Sequence, residues 1–357
     1  MLTAVRRSAL LCGLTLIALS AALIIRANRT PAPRSAGGPA TEFSAERAMR
    51  HVRAMAERPH PTGSADNARV RAYLVAELTA LGLTPEIQEA TGVGTRYQVA
   101  GRVYNVLARV AGTSPRGPAV LLMAHYDGVE AAPAAGDDAA GSSMVLETLR
   151  ALRAGPPLVH DVIALFTDGE EAGLLGAAAF VREHRWAADA GAGVTLNFDN
   201  RGTGGRVFMF ETGAGNLDVV RVLRGAPGVS ATSLMVTVYR TLPNDTDLSE
   251  VALLNGPALN FAFAAGVERY HTTEDDVAHL DPGSVQSGGA QMLALARAFG
   301  TGPLPRPHTG DAVFFDFPLL GVIYYPESWA VGLAVVAAVL VLALIPLIRR
   351  RHRHWIR

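Results

Sequence analysis

Two long apolar runs bracket the chain, Ala9 to Ile25 near its start and Trp329 to Ile348 near its end. The second, about twenty residues, matches the roughly 30 Å hydrocarbon core of a bilayer, with Trp329 at one border and Arg349-Arg-Arg-His-Arg353 at the other. The first follows Arg6 and Arg7 and precedes Arg26, the flanking expected of a signal anchor or a cleavable signal peptide. No clear small-x-small cleavage pattern follows it, so residues 1–26 are read as an anchor. A cytoplasmic Arg cluster at the C-terminus puts residues from about 27 to 327 on the opposite, periplasmic or lumenal side. Arg26, Arg29 and Arg34 work against that asymmetry at the first span.

Between the spans the pattern alternates. Residues 27–42, with Pro31, Pro33, Pro39 and Gly37-Gly38, read as a linker. Ser44 to Ala56 and Ala65 to Leu81 carry apolar residues at helical spacing, with Gly82 placed to cap the second. Strand-like runs follow at Val103 to Val110, Ala119 to Ala124, Val162 to Thr167, Val194 to Phe198, Val207 to Phe210 and Ala258 to Phe263. Helical stretches at Ala139 to Ala154, Leu174 to His184, Asn216 to Leu223 and Gly288 to Phe299 fill the gaps. The alternation predicts an α/β domain over residues 43–302, with a mostly parallel, mixed central sheet flanked by helices. Residues 303–327, rich in proline, read as an extended connector to a span at 328–348 and a basic cytoplasmic tail at 349–357.

Composition narrows the chemistry. Lys plus Arg equals Asp plus Glu at 32 each, so no basic field awaits nucleic acid, and no nucleic-acid partner is expected. The single cysteine, Cys12, lies in the first apolar run, which excludes an internal disulfide and a thiolate metal site. A metal would have to sit on nitrogen and oxygen.

Such ligands stand where strands end, in the crevice where α/β sheets collect functional groups. Ala119-Val-Leu-Leu-Met-Ala-His125-Tyr-Asp127 delivers an imidazole and, two residues on, a carboxylate on the same side. The pair suits a metal ligand and the group that orients it, or an ordinary strand-end histidine. Asp137-Asp138 precedes a helix, and helix capping would account for one of the two. Asp168-Gly-Glu170-Glu171 places two adjacent glutamates after a buried strand. That is costly unless cations or a proton compensate, and it suits one ligand and one proton-transfer group. Asp199 follows another apolar strand, and His271 sits beside hydroxyls and a carboxylate run. Together these hard donors suit two zinc ions sharing one carboxylate.

The ordered set resembles the M28 family of zinc aminopeptidases over roughly residues 45–300, through Arg58-Pro-His-Pro-Thr-Gly-Ser64, His125-Tyr-Asp127, Asp137-Asp-Ala-Ala-Gly141, Asp168-Gly-Glu-Glu-Ala-Gly173, Phe210-Glu-Thr-Gly213, Asn244-Asp-Thr-Asp247 and His271-Thr-Thr. The Phe-Glu-Thr-Gly and Asp-Thr-Asp segments, with the spans, look most like the membrane-bound branch of that family. The resemblance implies a zinc-exopeptidase-like fold and two Zn2+ per chain, with Asp137 bridging them. It implies His125 and Asp199 on one ion, Glu171 and His271 on the other, Glu170 as general base and acid, and Asp127 as the partner of His125. The implied substrate is a peptide with a free N-terminus. The chain departs from the pattern at Ala140, where many relatives have Ser, and at Asp199, where the membrane branch often has Glu. A tyrosine that steadies the oxyanion in some relatives has no clear counterpart: Tyr239 is nearest, and the register points to Thr241. Two other readings on the same scaffold are a glutaminyl-cyclase-like acyltransferase with one zinc and a catalytically inactive binding ectodomain.

Overall fold

The computed structural model describes residues 2–353 apart from 95, 115, 116, 307, 308 and 319; residues 354–357, the end of the basic tail, lie outside the described residues. Its first element is the apolar helix α1 (Leu2–Ala27). Two amphipathic helices follow, α2 (Ala45–Met55) and α3 (Ala65–Ala80), each opened by a serine that caps it. The Ser44 hydroxyl accepts the Arg47 N–H at 3.2 Å and Ser64 accepts that of Asn67 at 3.0 Å, satisfying donors the helix leaves free. Gly82 ends α3 as expected, in the left-handed region at φ +69°.

The sheet runs through β1 (Glu86–Gly94), β2 (Val99–Val110), β3 (Val120–His125), β4 (Val162–Thr167), β5 (Val194–Phe198), β6 (Phe208–Thr212), β7 (Ser230–Ala231) and β8 (Ala258–Ala262), in the spatial order β1-β2-β4-β3-β5-β8-β6-β7. Strands β4, β3, β5 and β8 are parallel, while β2 and β6 flank them antiparallel. Every residue of those four central strands is buried, as strands covered on both faces must be. After β4 the chain crosses back over β3 to add β5 on the other side. The strand order therefore reverses at β3, the place where open α/β sheets form their ligand crevice.

Helices α2, α4 (Gly141–Arg153) and α10 (Pro282–Thr301) join the larger core on one face. On the other lie α5 (Leu175–Glu183), α6 (Ala187–Gly191) and α9 (Leu248–Val251), packed around Leu121, Ile163 and Phe180. Helix α10 starts six residues before its expected Gly288, because Asp281 caps the Gly283 N–H at 2.8 Å and Pro282 occupies the first turn. Two short helices follow β6: α8 (Ser233–Tyr239) packs on that strand, and α7 (Leu217–Leu223) packs on α10.

Both segments expected to be irregular are more ordered than their composition suggests. In the 27–42 segment the Arg34 N–H donates to Gln286 Oε1 at 2.9 Å and the Arg47 guanidinium donates to the Ala36 carbonyl at 2.6 Å. Arg47 and Arg150 both grip the fully buried carboxylate of Glu147, so the segment is clamped onto α4. The proline-rich stretch before the last helix folds into a hairpin, β9 (Ala312–Phe317) and β10 (Gly321–Pro326), whose Phe314 and Val322 enter the main core. It leads into α11 (Ala330–Arg353). Ser8–Ala27 and Glu327–Pro346 are each 20 residues, long and apolar enough to cross a membrane, and neither is buried against the domain.

Candidate metal centre

All five sequence-predicted donors arrive at the carboxyl edge of the parallel strands. His125 ends β3, Glu171 lies in the turn after β4 and Asp199 directly follows β5. Asp137 comes from the loop between β3 and α4, and His271 from the loop after β8. His271 is held at φ +59°, a left-handed conformation that non-glycine residues adopt at a cost.

Donor atoms of His125, Asp137 and Asp199 lie within 4.8 Å of one another, and so do those of Asp137, Glu171 and His271. Asp137 belongs to both groups: its Oδ1 is 3.0 Å from His125 Nε2 and its Oδ2 is 3.2 Å from His271 Nε2. The His271 Nε2 also stands 2.8 Å from Glu171 Oε1. Both acidic residues of the Asp-Asp pair have work, and different work. Asp138 caps α4, accepting the Gly141 N–H at 3.1 Å and an Asn200 amide N–H at 2.9 Å, while Asp137 turns to the histidines.

The donor set fits divalent cations. Asp199 Oδ2 is buried with no hydrogen-bond donor, and Glu171 Oε1 has only His271 Nε2 beside it, an arrangement a bound ion would complete. Burial, with Asp137 beside it, pushes the Glu171 carboxyl up to about 7, and burial likewise pushes Asp199 up to about 6. Burial and then Asp199 push Glu170 well above the ordinary carboxylate range. Like charges so crowded favour bound metal.

Asp127 stands beside His125, where the i, i+2 spacing places it, and has a second set of partners. His125 Nδ1 is 3.0 Å from the Asp127 backbone carbonyl and 3.7 Å from its carboxylate. That carboxylate also accepts the N–H groups of Glu170 and Glu171, at 3.1 and 3.2 Å, and the Thr62 hydroxyl at 3.0 Å. It fixes the turn that presents the two glutamates.

Three groups were assigned no role from the sequence, although Asp247 stands in the Asn244-Asp-Thr-Asp247 segment. Asp275 accepts the N–H groups of Gly136 and Asp137 at 2.6 and 3.2 Å; its place in the carboxylate run after His271 was the available signal. Asp247 is buried and accepts the Thr167 hydroxyl at the end of β4. Arg201 donates to the Asp245 carbonyl at 2.7 Å and, with Tyr97, Glu170, Glu171, Asp245 and Tyr270, lines a cavity of about 390 Å³ beside the cluster. Tyr239 packs against Phe210 with its buried hydroxyl unpartnered, and the Thr241 hydroxyl donates to the Val238 carbonyl at 2.7 Å.

The Peptidase family M28 model matches residues 105–296, the stretch that holds this cluster. The chain belongs to peptidase family M28. It is 30% identical to endoplasmic reticulum metallopeptidase 1 of Rattus norvegicus over 90% of its own length and 38% of that protein. The M28 chain thus spans well under half of this curated relative. Its fold matches an aminopeptidase of Aneurinibacillus sp. strain AM-1 (TM-score 0.60, 12% identity, 76% of this chain and 98% of the other). It also matches the glutaminyl cyclase of Porphyromonas gingivalis (TM-score 0.58, 19% identity, 71% and 98%). Membership makes the M28 chain a metallopeptidase by family.

Proposed function

We propose that this M28 chain is a membrane-anchored aminopeptidase holding two zinc ions, with its peptidase domain on the extracytoplasmic side of the membrane. The observation that carries the reading is Asp137, among the described residues the one carboxylate that belongs to both donor groups. His125 and Asp199 would hold one ion with it, and Glu171 and His271 the other. Cations bound there polarise a scissile carbonyl and make water acidic enough to attack near neutral pH.

The remaining steps belong to the protein. Glu170 has no place in either donor group yet lines the cavity beside them. Its carboxylate accepts the proton of the attacking water and returns it to the departing amine. Asp127 holds the backbone N–H of Glu170, keeping that base at a fixed distance from its work. The cavity's acids, Glu170, Glu171 and Asp245, outnumber its one arginine, Arg201, a balance that suits the α-ammonium of a peptide's free N-terminus. Two terminal spans join the domain to membrane lipid.

Hydrolysis of aminoacyl-nitroanilides by the purified chain, with and without chelator, tests the activity: chelator-sensitive release is expected, and its absence would defeat the reading. Elemental analysis separates hydrolysis from the cyclase alternative, with two zinc ions per chain expected for the peptidase and one for the transferase.

A further inference from the structure

Three adjoining cavities, of about 370, 470 and 330 Å³, lie where α1 leaves the apolar run, and Arg206 lines all three. Their walls bring together the end of α1 (Ile24, Ala27, Asn28), Arg29, Arg224 and the tip of the β9–β10 hairpin. Arg206 donates to the Gly228 and Val229 carbonyls at 2.9 and 3.3 Å. Among the described residues neither it, nor Arg26, Arg29 or Arg224, forms an ion pair. The one acid on these walls, Asp316, accepts the Ser230 hydroxyl at 3.0 Å. Three guanidinium groups without an ion pair, those of Arg29, Arg206 and Arg224, therefore line one run of adjoining cavities.

Topology says what lies against that place. The domain sits between two membrane spans, so the end of α1 and the start of α11 meet the same face of a bilayer. Strand β10 joins them: Gly321 lines the cavity beside Ile24, and Pro326 leads into Trp329. Six residues of strand, roughly 20 Å, thus run from one interfacial point to the other, along the membrane surface. The hairpin exposes Phe315, Phe317 and Leu320 there, and Trp329 is exposed beside it. Aromatic side chains collect at this depth of a bilayer.

We propose that the arginine-lined groove between α1, Arg206, Arg224 and the hairpin binds the anionic headgroup of a phospholipid in the leaflet facing the domain, and so seats the domain on the membrane. Guanidinium groups grip phosphate oxygens in pairs, and the aromatic tip covers the acyl boundary. The same contact accounts for Arg26 and Arg29, which oppose the orienting charge of the first span yet stand at its domain end. The inference rests on both helices crossing one bilayer and is independent of the peptidase chemistry.

Native mass spectrometry of the full chain in detergent, offered dioleoyl phosphatidylglycerol or dioleoyl phosphatidylcholine, tests it. The wild type should retain the anionic lipid preferentially, and Arg29→Ser with Arg224→Ser, which leaves the Arg206 turn intact, should cut that preference on the order of tenfold without changing peptide hydrolysis. Hydrogen exchange of residues 312–326 in wild-type nanodiscs should slow when phosphatidylglycerol replaces phosphatidylcholine. Equal retention of the two lipids, an unchanged preference in the double variant, or full displacement of the lipid by millimolar inorganic phosphate would each overturn the proposal.

Discussion

Asp275 holds Asp137 by its backbone: the Asp275 carboxylate accepts the N–H groups of Gly136 and Asp137 through its two oxygens, at 2.6 and 3.2 Å. The carboxylate that reaches both histidines is thus set in place by an acid from the loop that carries His271. Replacing Asp275 with Asn puts a donor where two N–H groups expect an acceptor. Metal affinity, measured by chelator competition, should fall about 10- to 100-fold, with the fold intact by circular dichroism.

Glu170→Gln removes the proton acceptor and keeps its size. The variant should bind zinc at wild-type stoichiometry while kcat for aminoacyl-nitroanilides drops by a factor of about 10² to 10⁴. Undiminished turnover would take Glu170 out of the mechanism.

Gly136 lies where a side chain has no room. A Cβ there would stand 2.2 Å from the Gly202 carbonyl oxygen and 2.9 Å from Asp275 Oδ1, and a backbone oxygen cannot swing aside as a side chain can. Gly136→Ala should lower stability by about 1–3 kcal/mol and weaken zinc binding together, seen as a lower midpoint in urea and earlier loss of metal to chelator.

His51 supplies a pH dependence far from the metal. Burial pushes its imidazole down to about 4, and its Nδ1 lies 2.7 Å from the Tyr73 hydroxyl. Below about 6.5 the unfolded chain takes up a proton that the folded one refuses, so stability is level above that pH and falls as pH drops toward 4. Between pH 7 and pH 5 the contribution is about 2 kcal/mol. Urea unfolding should show His51→Gln losing that much less than the wild type over the interval, and equal losses would contradict the assignment.

The central strands were legible because burial on both faces writes itself as continuous apolar runs: β4 and β5 fall on the expected residues, and β3 extends through His125 by the one residue that matters chemically. Strand β1, Glu-Ile-Gln-Glu-Ala-Thr-Gly-Val-Gly, did not stand out, since it lies at the sheet edge and alternates buried with exposed positions. The hairpin was hidden by its prolines, although Phe314 and Val322 anchor it in the core. At the site, donors placed by strand ends were visible, because a strand fixes both position and direction. Asp275 and Arg201 were not, because each acts across loops whose course no local pattern reports. Asp127 lay between these cases: the spacing located it correctly, but the chain bends after His125, so its carboxylate also serves the glutamate turn.

The clamp on Arg34 has a consequence for reach. From Ala27, the last residue of α1, to Arg34, whose N–H donates to Gln286 of α10, there are 34 − 27 = 7 steps of chain, at most about 24 Å when fully extended, and Thr30 and Pro31 already lie against Gly283 of the same helix. With the proposed anchoring, an enzyme on so short a leash would work in a thin shell above its own bilayer. It would meet freely diffusing peptides and the protruding ends of neighbouring membrane proteins, and could not trim a chain end held farther away.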